Sequence, residues 1–110
     1  MNNAVIIPAR MGSSRFPGKP LINILGLPMV IHVWLRCKMS KEVDEAYIAT
    51  CDKKIHKICS NFGAQVIMTS KKHEMCMDRV VEASKKIKAK NIITVQGDEP
   101  LIRPNDINMI

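Results

Sequence analysis

The feature that most constrains this chain is a repeated alternation of short apolar runs with segments of helical period. Val5-Ile6-Ile7 is wholly apolar and stops at Pro8, the pattern of a strand covered on both faces. After Gly26 and Pro28, the residues Val30, Val33, Trp34 and Cys37 recur at i, i+3, i+4 and i+7. That spacing predicts a helix with one apolar stripe and Pro28 in its first turn. Ala46-Tyr47-Ile48-Ala49-Thr50 reads as the next strand. Asp52 is then expected to cap a helix carried by Ile55, Ile58, Cys59 and Phe62, with Gly63 as its stop. Residues 64–68 form a further strand, 76–88 a helix with Met77, Val80, Val81, Ser84 and Ile87 on one face, and 91–95 a last strand. Strands this apolar are not expected to be half-exposed. The reading is an α/β fold, a Rossmann-like wound, mainly parallel sheet with helices on both faces.

A length of 110 residues allows one domain at most. A further helix starts near Asp106 and stops after about one turn, so the chain reads as the front half of a longer protein. No apolar run approaches the roughly 18 residues of a membrane span. Met1-Asn2-Asn3 lacks the basic region of a secretory leader, which points to the cytoplasm. The four cysteines, at 37, 51, 59 and 76, contain no C-x-x-C pair. They suit neither a zinc ribbon nor a secreted disulfide scaffold, and read as reduced structural thiols. The net charge of +7 raises the question of nucleic acid, but only Phe16, Trp34, Tyr47 and Phe62 are aromatic. A single-strand stacking platform is poorly supplied, and the lysines read as solvated helix faces and ends.

In wound α/β sheets, ligands sit beyond the carboxyl ends of the strands. Two stretches there carry chemistry. The first, Pro8-Ala9-Arg10-Met11-Gly12-Ser13-Ser14-Arg15-Phe16-Pro17-Gly18-Lys19-Pro20, holds three cations and no acid. A P-loop has four residues between its glycines and Ser or Thr after its lysine. Here Gly12 and Gly18 enclose five residues and Pro20 follows Lys19, so that motif fails, and the dinucleotide fingerprint is absent. What remains is a backbone at Gly12-Ser13-Ser14 able to approach a phosphate, with Arg10, Arg15 and Lys19 supplying charge for a triphosphate. The second stretch is Gln96-Gly97-Asp98-Glu99. A carboxylate at Asp98, directly after a buried strand, can bind Mg²⁺ while phosphates and waters complete the octahedron. A solvated basic turn at the first loop, and a capping role for Asp98, are the plainer alternatives. His73-Glu74-x-Cys76-x-Asp78 is a weak soft-metal pattern, and His32 reads as a packed histidine on an apolar helix.

Ile6-Ile7-Pro8-Ala9-Arg10, Ser14-Arg15-Phe16-Pro17-Gly18-Lys19-Pro20-Leu21, Gly26-x-Pro28-Met29-Val30, Asp78-Arg79 and Val95-Gln96-Gly97-Asp98-Glu99-Pro100 occur in this order along almost the whole chain. Together they closely resemble the 3-deoxy-manno-octulosonate (Kdo) cytidylyltransferases, within a wider family that includes acylneuraminate cytidylyltransferases. Two departures stand out. Met75-Cys76-Met77 replaces the family's small Ser-Gly-Thr step, and Cys51 separates Thr50 from Asp52.

The resemblance implies a nucleotidyltransferase fold and a reaction. The anomeric hydroxyl of a 2-keto sugar acid attacks the α-phosphorus of CTP, giving a CMP-sugar and pyrophosphate with Mg²⁺ as cofactor. It implies that Arg10, Ser13, Arg15 and Lys19 hold the triphosphate and that Asp98 holds the metal. Pro8, Ala9, Gly12, Ser14, Arg79 and Gln96 complete the nucleotide-binding set, and Arg10, Lys19 and Asp98 are the catalytic candidates. On this likeness, residues 1–110 are the N-terminal nucleotide-binding part of a cytidylyltransferase domain. The absent C-terminal half would bring a second metal aspartate, most sugar-acid contacts and a homodimer surface. Such a fragment is expected to bind nucleotide weakly and turn over poorly. A nucleotidyltransferase using UTP or a nonulosonate, and a non-catalytic nucleotide-binding module, are the rival readings. Neither nucleic acid nor membrane is an expected partner.

Overall fold

The structure is a computed structural model that describes residues 2–12, 19–72 and 76–96, with Lys19, Cys76 and Met77 described by backbone alone. Four parallel strands form its centre: β1 (Asn3–Pro8), β4 (Glu45–Thr50), β5 (Gln65–Met68) and β6 (Asn91–Thr94), in spatial order β5-β4-β1-β6. A short antiparallel ribbon, β2 (Asn23–Ile24) and β3 (Leu27–Pro28), precedes α1 (Met29–Lys38). The remaining helices are α2 (Lys53–Asn61) and α3 (Cys76–Ser84).

The register explains how one sheet serves two cores. Val5 pairs with Ala46 and Ile93, and Ile7 pairs with Ile48, which pairs in turn with Val66. These residues share the face covered by α1 and α2, where Val30, Val33, Trp34, Cys37, Ile55 and Cys59 pack. Ile6 and Ala49 point the opposite way, onto Val80 and Ala83 of α3. The two helices that step outward from β1 thus lie on one side, and the helix that returns to β6 lies on the other. Right-handed crossovers require this arrangement once the strand order reverses at β1.

Local signals end α2 as expected. Gly63 adopts φ +84; its N–H bonds the Ser60 carbonyl at 3.0 Å and the Ala64 N–H bonds that of Cys59 at 3.2 Å. This 6→1 and 5→2 pair is a Schellman stop. On α1, Trp34 donates its Nε1–H to the Ala46 carbonyl at 3.1 Å, which joins the helix to β4 in the core. His32 packs as expected, with Nε2–H donating to the Ile24 carbonyl, which holds the ribbon against α1.

One element is added and three expectations are corrected. The ribbon β2–β3 was not foreseen, because each strand has two residues and carries no period. The third helix stops at Ser84 rather than Lys88; Ser84 Oγ donates back to the Val81 carbonyl at 2.7 Å, loosening the last turn. Its buried face runs through Arg79, Val80 and Ala83, leaving Val81 48% exposed. β5 and β6 are half-buried rather than covered, since they lie at the ends of the described sheet.

Candidate nucleotide site at the sheet reversal

Strand order reverses at β1, whose neighbours β4 and β6 are reached in opposite directions along the chain. A crevice opens at such a point beyond the carboxyl ends of the strands. Ile6 of β1 pairs with Thr94 of β6, and the Val95 N–H continues the ladder to the Ile6 carbonyl at 3.2 Å. Pro8 and Gln96 stand two residues beyond that pair, so the two sequence-predicted stretches leave the sheet side by side.

The loop after β1 is anchored on the β4 side. Ala9 is buried, and its N–H bonds the Ala49 carbonyl at 2.9 Å. The Met11 N–H is accepted by Asp52 Oδ2 at 2.8 Å. Arg10 stands between these two bonds and is exposed. Among the described residues, a Cβ added to Gly12 would meet no heavy atom within 4 Å, so their packing makes no demand for glycine there.

Asp52 is another correction. It occupies the N-cap position of α2 but makes no side-chain cap bond; its carboxylate faces Met11 instead. A one-residue N-cap pattern could not reveal a partner 41 positions away. The available signal was topological, an aspartate two residues past the strand that pairs with β1, whose own following loop bears a glycine.

Arg79 is 2% exposed. Its Nε–H donates to Thr69 Oγ1 at 2.9 Å, and its Nη2 to the Cys51 sulfur at 3.5 Å. The guanidinium therefore joins α3 to the segments that leave β4 and β5. The Thr50-Cys51-Asp52 turn is a hub. The Thr50 carbonyl accepts the Thr69 N–H at 2.9 Å, Cys51 faces Arg79, and Asp52 holds Met11.

Of the sequence-predicted site, the structure brings Pro8, Ala9, Arg10, Gly12 and Gln96 to the reversal and sets Arg79 beneath the neighbouring turns. Ser13, Ser14, Arg15 and Asp98 lie outside the described residues, as do Glu99 and the Lys19 side chain. Among the described residues, no group of three His, Cys, Asp or Glu side chains could hold a metal, and no helix is long and apolar enough to cross a membrane.

Residues 4–110 match the model of the cytidylyltransferase family. The chain belongs to that family. It is 47% identical over 111 residues to a 3-deoxy-manno-octulosonate cytidylyltransferase of Escherichia coli, covering all of this chain and 45% of that protein. It is 45% identical over 113 residues to an 8-amino-3,8-dideoxy-manno-octulosonate cytidylyltransferase of Shewanella sp. (strain W3-18-1), covering all of this chain and 46% of that one. The solved structure of a CMP:2-keto-3-deoxy-manno-octonic acid synthetase complexed with CTP superposes with a TM-score of 0.93 at 45% identity, over 97% of this chain and 44% of that one. The chain thus spans a little under half the length of these relatives, and its wound sheet is that of the solved structure.

Proposed function

We propose that this chain is the nucleotide-binding part of a Mg²⁺-dependent cytidylyltransferase domain that activates a Kdo-like 2-keto sugar acid. The anomeric hydroxyl oxygen bonds to the α-phosphorus of CTP, and the bond from that phosphorus to the β-phosphate bridging oxygen breaks. The hydroxyl proton is lost and pyrophosphate departs. The observation that carries the reading is the side-by-side exit of residues 8–12 and 95–96 at the sheet reversal, in a chain of this family.

In this reading Arg10 and Lys19 neutralise the triphosphate, with Ser13, Ser14 and Arg15 beside them. Gly12 gives the backbone its close approach to phosphate, a demand for glycine that packing among the described residues does not make. Gln96 meets the cytidine or the sugar acid. Asp98 and Glu99 offer hard oxygen donors, the type Mg²⁺ selects, and Asp98 would hold the ion. When bound, the metal adds positive charge against the phosphates. Phosphoryl-type transfer rests on positioning and charge neutralisation, which fits cations on one loop and a carboxylate on the next.

Calorimetric titration with CTP, with and without Mg²⁺ and with ATP and UTP as controls, tests this. Mg²⁺-enhanced binding that prefers CTP is expected. Equal affinity for all three nucleotides would favour a general nucleotide module, and no binding by the folded chain would count against the site.

A further inference from the structure

We propose that Asp52 is a positioning residue for nucleotide binding, its carboxylate setting the shape of the loop that carries Arg10. This rests on the nucleotide reading above. An aspartate at an N-cap ordinarily accepts an N–H from the first turn of its own helix. Asp52 forgoes that bond and accepts the Met11 N–H at 2.8 Å in a part-buried setting.

Asp52 is itself held firmly. Its N–H donates to Thr50 Oγ1 at 3.1 Å, and Thr50 is fully buried in the sheet. Its carbonyl accepts the His56 N–H at 3.1 Å, the first bond of α2. The backbone that carries the carboxylate is therefore fixed relative to both β4 and α2. The loop after β1 meets this carboxylate at Met11 and meets β4 again at Ala9, whose N–H bonds the Ala49 carbonyl at 2.9 Å. Arg10 is the exposed residue between the two bonds. Pinning the backbone on both sides leaves only its side chain to be ordered by an anion, and a pre-ordered donor loses less entropy on binding. Without the Met11 bond the backbone of residues 9–12 would keep, among the described residues, the Ala9 hydrogen bond and the packing of the Met11 side chain on the core, and the residue after Met11 is Gly12.

Two substitutions separate this role from support of α2. Asp52→Ser keeps a good N-cap residue but is too short to reach Met11, whereas Asp52→Asn keeps an oxygen acceptor at the original reach. Asp52→Ser is expected to speed amide exchange at Met11 by about ten-fold or more while exchange in β4 is unchanged. It is also expected to weaken Mg²⁺–CTP binding by about ten-fold, the scale of one hydrogen bond to a charged group. Asp52→Asn should restore both to within about two-fold of the unsubstituted protein on the same reasoning. Trp34 fluorescence confirms folding of each variant. Unchanged Met11 exchange or unchanged CTP affinity in Asp52→Ser would overturn the proposal, as would equal weakening in both variants. Absence of CTP binding by the unsubstituted protein would instead overturn the nucleotide reading itself, before any variant is compared.

Discussion

The Arg79 guanidinium donates its Nε–H to the Thr69 hydroxyl at 2.9 Å from a side chain only 2% exposed. Ser70 N–H to Glu82 Oε1 at 2.9 Å, and Lys86 Nζ, in the turn after α3, to the Met68 carbonyl at 2.6 Å, add two further links to the end of β5. Of the three, the Arg79 link is the buried one, where a lost partner is not replaced by water. Arg79→Met should therefore destabilise the fold by about 2–3 kcal/mol, through broken buried hydrogen bonds. Arg79→Lys should recover little of this, because an ammonium cannot span Thr69 and Cys51 as a planar fork does. Urea unfolding followed by Trp34 fluorescence measures both.

Trp34 joins α1 to β4 through the Ala46 carbonyl. Trp34→Phe keeps an aromatic ring but removes the indole donor from that buried carbonyl, so a loss of about 1 kcal/mol is expected. Circular dichroism is the readout, since the fluorophore is gone. Lys38 Nζ lies 4.8 Å above the same ring; Lys38→Ala should cost no more than about 1 kcal/mol, the scale of an exposed cation–π contact.

Burial pushes the Cys59 thiol up to about 11. At pH 8 only about one thiol in a thousand is then ionised, and the thiolate is the reactive form. Cys51 is half-exposed, and Cys37 and Cys59 are buried. Alkylation mapped by mass spectrometry should label Cys51 well before Cys37 or Cys59. Prompt native-state labelling of Cys59 would contradict this packing.

Asp44 lies at the opposite end of the sheet, where its Oδ2 accepts the Asn3 N–H at 2.8 Å and the Asn2 N–H at 3.0 Å. These bonds hold its carboxyl below the ordinary value of 3.8. The folded state thus binds this proton less readily than the unfolded chain does. Its stabilising contribution is present in full above 3.8 and is lost as pH falls through the lower folded value. Melting temperatures recorded between about pH 2 and 6 should show a shallower acid loss in Asp44→Ala than in the parent. Identical slopes would remove Asp44 from the acid response.

Leu25 sits at the tip of the β2–β3 ribbon at φ +52 and is 95% exposed. Gly26 follows at φ +90, and two positive φ values in a two-residue hairpin favour Asn-Gly. Leu25→Asn should stabilise the protein by about 1 kcal/mol, by relieving the left-handed cost of a side chain that packs on nothing. Thermal denaturation decides it, and a lower melting temperature would show that the leucine has a partner.

The elements legible in the sequence were those specified by near neighbours. Val5-Ile6-Ile7 before Pro8, the Val30-Val33-Trp34-Cys37 stripe and the Gly63 stop each depend on contacts within a few residues or on a period, so they appear as predicted. The wound order followed from alternating apolar strands and helices, because few ways exist to cover both faces of such a sheet. The candidate site is two stretches at strand ends in the sequence, and for Pro8, Ala9, Arg10, Gly12 and Gln96 the fold brings those stretches to one reversal. What the tertiary structure alone decided is where polar side chains find their partners. Asp52 had a local role available at the start of α2, yet bonds Met11 across 41 positions. Arg79 turned inward to Thr69 and Cys51, 10 and 28 positions away, and in doing so left Val81 exposed. A hydrogen bond is satisfied by whichever donor the folded sheet brings within reach, and sequence neighbours do not determine that distance.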